Sequence, residues 1–93
     1  MRWSEIIRLR LAGSQYEFPI PKMNVMIQGL NAKAHGLLEF RVFRHALTNG
    51  DFAIQLLWES DQPQLSGSFA GLNICQDLKK YGVVAHFVWI EDI

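Results

Sequence analysis

Few residues in this chain combine a chemically active side chain with a setting that could use it, and His86 leads them. It lies in the apolar run 83–91 between Ala85 and Phe87, and an imidazole that titrates near neutral pH can take a proton or ligate iron. The competing reading is a core or interface histidine whose ring nitrogens are satisfied by hydrogen bonds. His45 ends an extended run beside a turn and His35 precedes Gly36, so both suit solvated positions. Cys75, the single cysteine, cannot form an internal disulfide, and nothing near it in sequence would lower its pKa. It reads as a small buried hydrophobe. Glu39, Arg41, Phe43 and His45 share one strand face, where Glu39 and Arg41 can pair across strands or subunits. No Ser-His-Asp order, Gly-rich phosphate loop or carboxylate dyad assembles. No Cys/His pair stands at metal spacing, so neither a metal site nor a cofactor is expected.

Four extended runs and two helical stripes must position these groups. Residues 6–11 read as a first strand, with Ile7, Leu9 and Leu11 on one face and Ile6, Arg8 and Arg10 on the other. Pro19 and Pro21 keep the next segment out of a helix, because each removes an amide donor and disfavours the α conformation before it. From Lys22 the period changes. Met23, Met26, Ile27, Leu30 and Ala34 fall on one helical stripe, which Gly29 weakens by about 1 kcal/mol relative to Ala and Gly36 can close. Residues 37–45 form a second strand, with Leu38, Phe40 and Val42 facing the helices. Asn49-Gly50 is a hairpin signal leading to the third strand, 52–59. Ser66 or Ser68 can cap a second helix on which Phe69, Leu72, Cys75 or Ile74, Leu78 and Tyr81 repeat. Lys79 and Lys80 suit its C-terminal end, and Gly82 stops it before the fourth strand, 83–91. The order β-α-β-β-α-β predicts an α+β, ferredoxin-like domain over 1–93: a four-stranded antiparallel sheet with both helices on one face.

Runs 52–59 and 83–91 carry apolar side chains on both faces, whereas an antiparallel strand with one face in water alternates apolar with polar. Helices on one side cannot cover both. Hydrophobic residues make up 49% of the chain, with three Trp and six Phe, yet a domain this small buries only roughly 60 to 65% of its unfolded surface. A second copy of the molecule is the expected cover, giving a homodimer. Nine Lys and Arg balance nine Asp and Glu, so there is no net field to draw the chain to nucleic acid or an anionic membrane. The first ten residues carry charges where a signal peptide would have an apolar core, and no run has the length of a membrane span. With one cysteine, these features suit the cytoplasm.

Gly36-Leu-Leu-Glu-Phe-Arg-Val-Phe-Arg44, then Gly50-Asp-Phe-Ala-Ile-Gln-Leu-Leu-Trp-Glu-Ser60, then a helix beginning near Ser68, resemble the antibiotic biosynthesis monooxygenase family of the dimeric α+β barrel superfamily. The resemblance covers roughly residues 36 to 90. It implies that two sheets pack face to face as a barrel, with a small-molecule cleft in each subunit between sheet and helices. Trp58 stands at the family's Trp-Glu-Ser position, where a Trp wall lines the cleft in several members, and a flat indole can stack on an aromatic ligand. Otherwise it is simply core. Phe40, Met26, Phe69 and Leu72 are the further expected ligand contacts, with His86 the candidate catalytic base. Haem-degrading members carry an axial His on the second helix, but 61–82 contains no His, so haem is not expected. Two functions follow from the resemblance. One is a cofactor-independent monooxygenase acting on a small quinol- or polyketide-type aromatic. The other is a non-catalytic dimeric binding or interaction module, favoured if Met23, Met26, Phe69 and Leu72 fill the cleft.

Overall fold

A computed structural model describes residues 1–12 and 35–92. Four strands, β1 (Arg2–Leu11), β2 (Leu37–Arg44), β3 (Asp51–Glu59) and β4 (Gly82–Ile90), form one antiparallel sheet in the order β2-β3-β1-β4, and α1 (Phe69–Leu78) connects β3 to β4. This is a ferredoxin-like α+β sheet with one helix among the described residues. The stripe from Met23 to Ala34, expected as the other helix, lies outside them.

β1 starts four residues earlier than the sequence pattern suggests. Trp3, Glu5, Ile7 and Leu9 alternate as its buried face, and the charge of Glu5 breaks the apolar pattern that would have extended the strand. On the buried face of the sheet Ile7 lies between Ile54 and His86, and Leu9 between Phe52 and Val84. On β2 the expected inward set needs one correction. Leu37 pairs with Trp58 but Glu39 with Leu57, so Leu38 is the extra residue of a bulge and is exposed, while Leu37 takes the buried place. Phe40 and Val42 pack against the core as expected.

The stripe expected on α1 is also rotated. Phe69 is 71% and Leu72 49% exposed, and the buried face is Ala70, Gly71, Ile74, Cys75 and Leu78. A period near 3.6 selects 70/71, 74 and 78, and two small residues in the first turn let the helix sit close to the sheet. The opposite sheet face carries Ile6, Leu57, Phe87 and Trp89, the last 63% exposed.

Candidate functional site

The site lies where the first turn of α1 crosses the start of β1. Trp3 and Trp58 are direct partners in the β1–β3 register, so their side chains project from the same sheet face. Their rings stack at 5.6 Å between centroids with 17° between planes. Both indoles are buried, but their N–H groups differ. Trp3 Nε1 donates to Ser60 Oγ at 2.8 Å, and Ser60 Oγ donates in turn to the Gln62 carbonyl at 2.7 Å. Trp58 Nε1 has no acceptor among the described residues.

A cavity of about 420 Å³ opens against this stack. Trp3 and Trp58 form its apolar wall with Phe69 and Ala70 from α1. Ser60, Gln62, Gln64 and Ser68 supply hydroxyl and amide groups, and exposed His35 stands at its margin. Such a site can hold a flat aromatic ring on the indoles and meet its oxygen substituents at the rim.

The first turn of α1 is held by an unusual partner. Ser68 caps the helix in the ordinary way, its Oγ accepting from the Gly71 N–H at 2.9 Å. In a capping box the third helical residue would be Glu or Gln, reaching back to the N–H of the cap residue. Here that residue is Gly71, and the carboxylate comes from the sheet: Glu5 Oε1 accepts the Ser68 N–H at 2.9 Å. A Cβ on Gly71 would overlap the Glu5 carboxylate, so glycine makes room for it. Glu5 is fully buried, and its other oxygen, Oε2, lies 2.8 Å from His86 Nε2. A fully buried carboxylate is tolerable because it accepts from an amide and an imidazole at a positive helix end.

Of the residues expected at the site, Trp58 and Phe69 line the cavity. Phe40 packs on the core from β2, and Leu72 points outward from α1. Met26 lies outside the described residues. His86 faces the helix side of the sheet, with its ring engaged by Glu5 rather than lining the cavity. Its side chain is 19% exposed. His35, expected to be solvated, is exposed but at the cavity margin. His45 is exposed, and its Nδ1 accepts the Leu47 and Thr48 amides in the β2–β3 turn. Glu39 pairs with Arg41 on its own strand at 3.0 Å. Burial pushes the Cys75 thiol up to about 11, with the Glu5 charge adding to the shift, which leaves it protonated at neutral pH. No group of three metal-ligating side chains occurs among the described residues. Sequence reading missed Trp3 and Glu5. Both precede the expected start of β1, and the available signal was the i, i+2 spacing from Trp3 through Leu9.

No family model matches the chain, and no curated relative does. Solved structures do. Rv0793 from Mycobacterium tuberculosis covers 100% of this chain and 97% of its own at TM-score 0.68 and 17% identity. A mutant form of SnoaB, a cofactor-independent oxygenase from Streptomyces nogalater, covers 99% and 94% at TM-score 0.62 and 11% identity. A hydroxynitrile lyase from Passiflora edulis covers 99% and 96% at TM-score 0.57 and 14% identity. The chain has the fold of these proteins. One further neighbour, from Caulobacter crescentus, is described as a putative antibiotic biosynthesis monooxygenase, the family that residues 36–90 resemble. At these identities the likeness establishes architecture, and one architecture serves both an oxygenase and a lyase.

Proposed function

We propose that the cavity binds a small flat aromatic of quinol or polyketide type and that the protein oxidises it as a cofactor-independent monooxygenase. The Trp3–Trp58 stack in the cavity wall carries this reading, because a pair of parallel indoles facing open volume fits a planar ligand. The Trp58 N–H, without an acceptor among the described residues, suits a ligand that brings a carbonyl or phenolic oxygen. The fold shared with SnoaB agrees with it.

The chemistry then belongs mainly to the substrate. A hydroxylated anthrone loses a proton to a base, and its anion passes one electron to dioxygen. The radical pair combines at carbon, and loss of water leaves the quinone. One oxygen atom becomes the new carbonyl and the other leaves as water with the two hydrogens of the methylene. His35 is the imidazole among the described lining residues and the side chain there able to take a proton from the substrate, so it is the base assigned here. The amide and hydroxyl groups of Gln62, Gln64 and Ser60 would orient the ring oxygens.

The same cavity supports a second reading. Its described lining is mostly uncharged, with one imidazole at an exposed margin, which also suits a binding module without catalysis. Titration with 1,8-dihydroxyanthraquinone, followed by tryptophan fluorescence, tests the binding claim shared by both. We expect saturable quenching at one ligand per chain, weakened in Trp58→Phe. Unsaturable quenching, identical in that variant, would rule the cavity out as an aromatic site.

The open outer face of Ile6, Leu57, Phe87 and Trp89 supports assembly as a homodimer that covers it. No helix among the described residues is long and apolar enough to cross a membrane.

A further inference from the structure

We infer that Glu5 and His86 are positioning residues for the cavity, with Glu5 fixing the wall contributed by α1 and His86 fixing Glu5. The consequence for ligand binding rests on the aromatic-site reading above, whereas the anchoring itself does not.

Four residues from separate places in the chain fit one another here. Glu5 rises from the centre of the sheet, His86 flanks it from β4, and Gly71 and Gly67 leave the space that the carboxylate and the imidazole occupy. Gly67 holds a φ of +103°, and a Cβ there would overlap the His86 ring. The carboxylate meets the N–H of Ser68, and Ser68, Phe69 and Ala70 together form the helical side of the cavity. Two positions before Glu5 on the same strand face, Trp3 forms the facing side. One buried side chain therefore ties the aromatic wall to the helical wall. A helix needs only the Ser68 cap to satisfy its Gly71 amide, so the second, longer-range acceptor fixes where the helix begins relative to the sheet. His86 donates from Nε2 to the oxygen that Ser68 does not use, which orients the carboxylate and satisfies it in a site without water-accessible surface.

The test compares wild type with His86→Leu, His86→Gln and Glu5→Gln, all as the full chain. His86→Leu removes the donor to Glu5. His86→Gln retains an N–H that can reach the same oxygen. Glu5→Gln keeps the volume and one acceptor but replaces a carboxylate by a weaker amide oxygen. Backbone amide spectra and hydrogen exchange provide the readout that needs no ligand. His86→Leu should move the Ser68 and Gly71 resonances and speed their exchange, with the β2–β3 amides unchanged, and His86→Gln should restore both. Binding of 1,8-dihydroxyanthraquinone should weaken by about tenfold in His86→Leu, as expected when a wall of one or two side chains must be reordered on binding, and recover in His86→Gln. If His86→Leu does not fold, Glu5→Gln decides: its Ser68 amide should move upfield because its acceptor has lost its charge. Ser68 and Gly71 amides that stay in place in every folded variant would overturn the inference. So would a uniform rise in exchange across the sheet without rescue by glutamine. Failure of wild type to bind the probe, with the amide response intact, would remove the ligand reading and leave the anchoring standing.

Discussion

Replacing Gly71 by alanine sets two predictable effects against each other. Alanine in the first turn of a helix ordinarily adds stability, since glycine is about 1 kcal/mol less favourable in a helix. Here the added methyl would occupy the space of the Glu5 carboxylate. Neither neighbour can yield freely: Gly71 belongs to the helix backbone, and Glu5 is fully buried on the central strand. The carboxylate must withdraw from the Ser68 N–H and His86, and hydrogen bonds to a charged group contribute about 1.5–3 kcal/mol each. Losing both in part and offsetting the gain in helix propensity leaves a net loss of about 2–4 kcal/mol. That is a large share of the stability of a small domain, about 5–15 kcal/mol. Urea unfolding followed by circular dichroism would show it as a lower midpoint at unchanged slope. The pair Gly71→Ala with Glu5→Ala should be non-additive, the second change relieving the overlap, with a coupling of roughly 1–3 kcal/mol. A Gly71→Ala protein as stable as wild type, or more so, would refute the placement of Glu5 beneath the helix.

Cys75 should resist alkylation by iodoacetamide at pH 8 in the native protein and react readily in urea, because its buried thiol is held protonated. The raised pKa also sets a sign: the stabilising contribution of the neutral thiol is complete below the unfolded value near 9.0 and disappears as pH climbs toward about 11, which Cys75→Ala should abolish in a pH series of unfolding midpoints. Phe87→Asp should convert a dimer to monomer in light scattering at micromolar concentration, since it places an unpaired charge in the expected sheet-to-sheet contact; wild type that is already monomeric would end the barrel reading. Gly67→Ala should destabilise by about 1–3 kcal/mol, combining a strained positive φ with overlap on the His86 ring, and thermal melting would measure it.

The strands were legible because their apolar spacing is strong, and Asn49-Gly50 and Gly36 mark places where φ is positive, as the turn at Gly50 (φ +79°) and Gly36 (φ +99°) shows. Errors arose where a local device changed the spacing. The bulge at Leu38 shifted the inward residue by one, and the small residues Ala70 and Gly71 hid the buried face of α1 behind the more hydrophobic Phe69 and Leu72. Of the expected ligand contacts, Trp58 and Phe69 line the cavity. Trp3 and Glu5 escaped because a lone carboxylate among apolar neighbours reads as the end of a strand. Its partners, Ser68 and His86, are 63 and 81 residues away, a pairing that no local pattern can announce. The single glycine at Gly71 was a visible trace of that contact, readable only once the carboxylate was known to lie beneath it.

Oxygen consumption separates an oxygenase from a binding module. Protein freed of flavin and metal by dialysis against chelator is mixed with 1,8-dihydroxyanthrone in air-saturated buffer, and dissolved oxygen is followed with an electrode while the quinone is followed by absorbance. Uptake of one dioxygen per quinone formed is expected, above the buffer blank, saturable in substrate, slowed in Trp58→Phe and slowed further in His35→Ala. Uptake equal to the blank, from protein that binds the corresponding quinone at one per chain, would contradict the oxygenase and leave a binding module in its place.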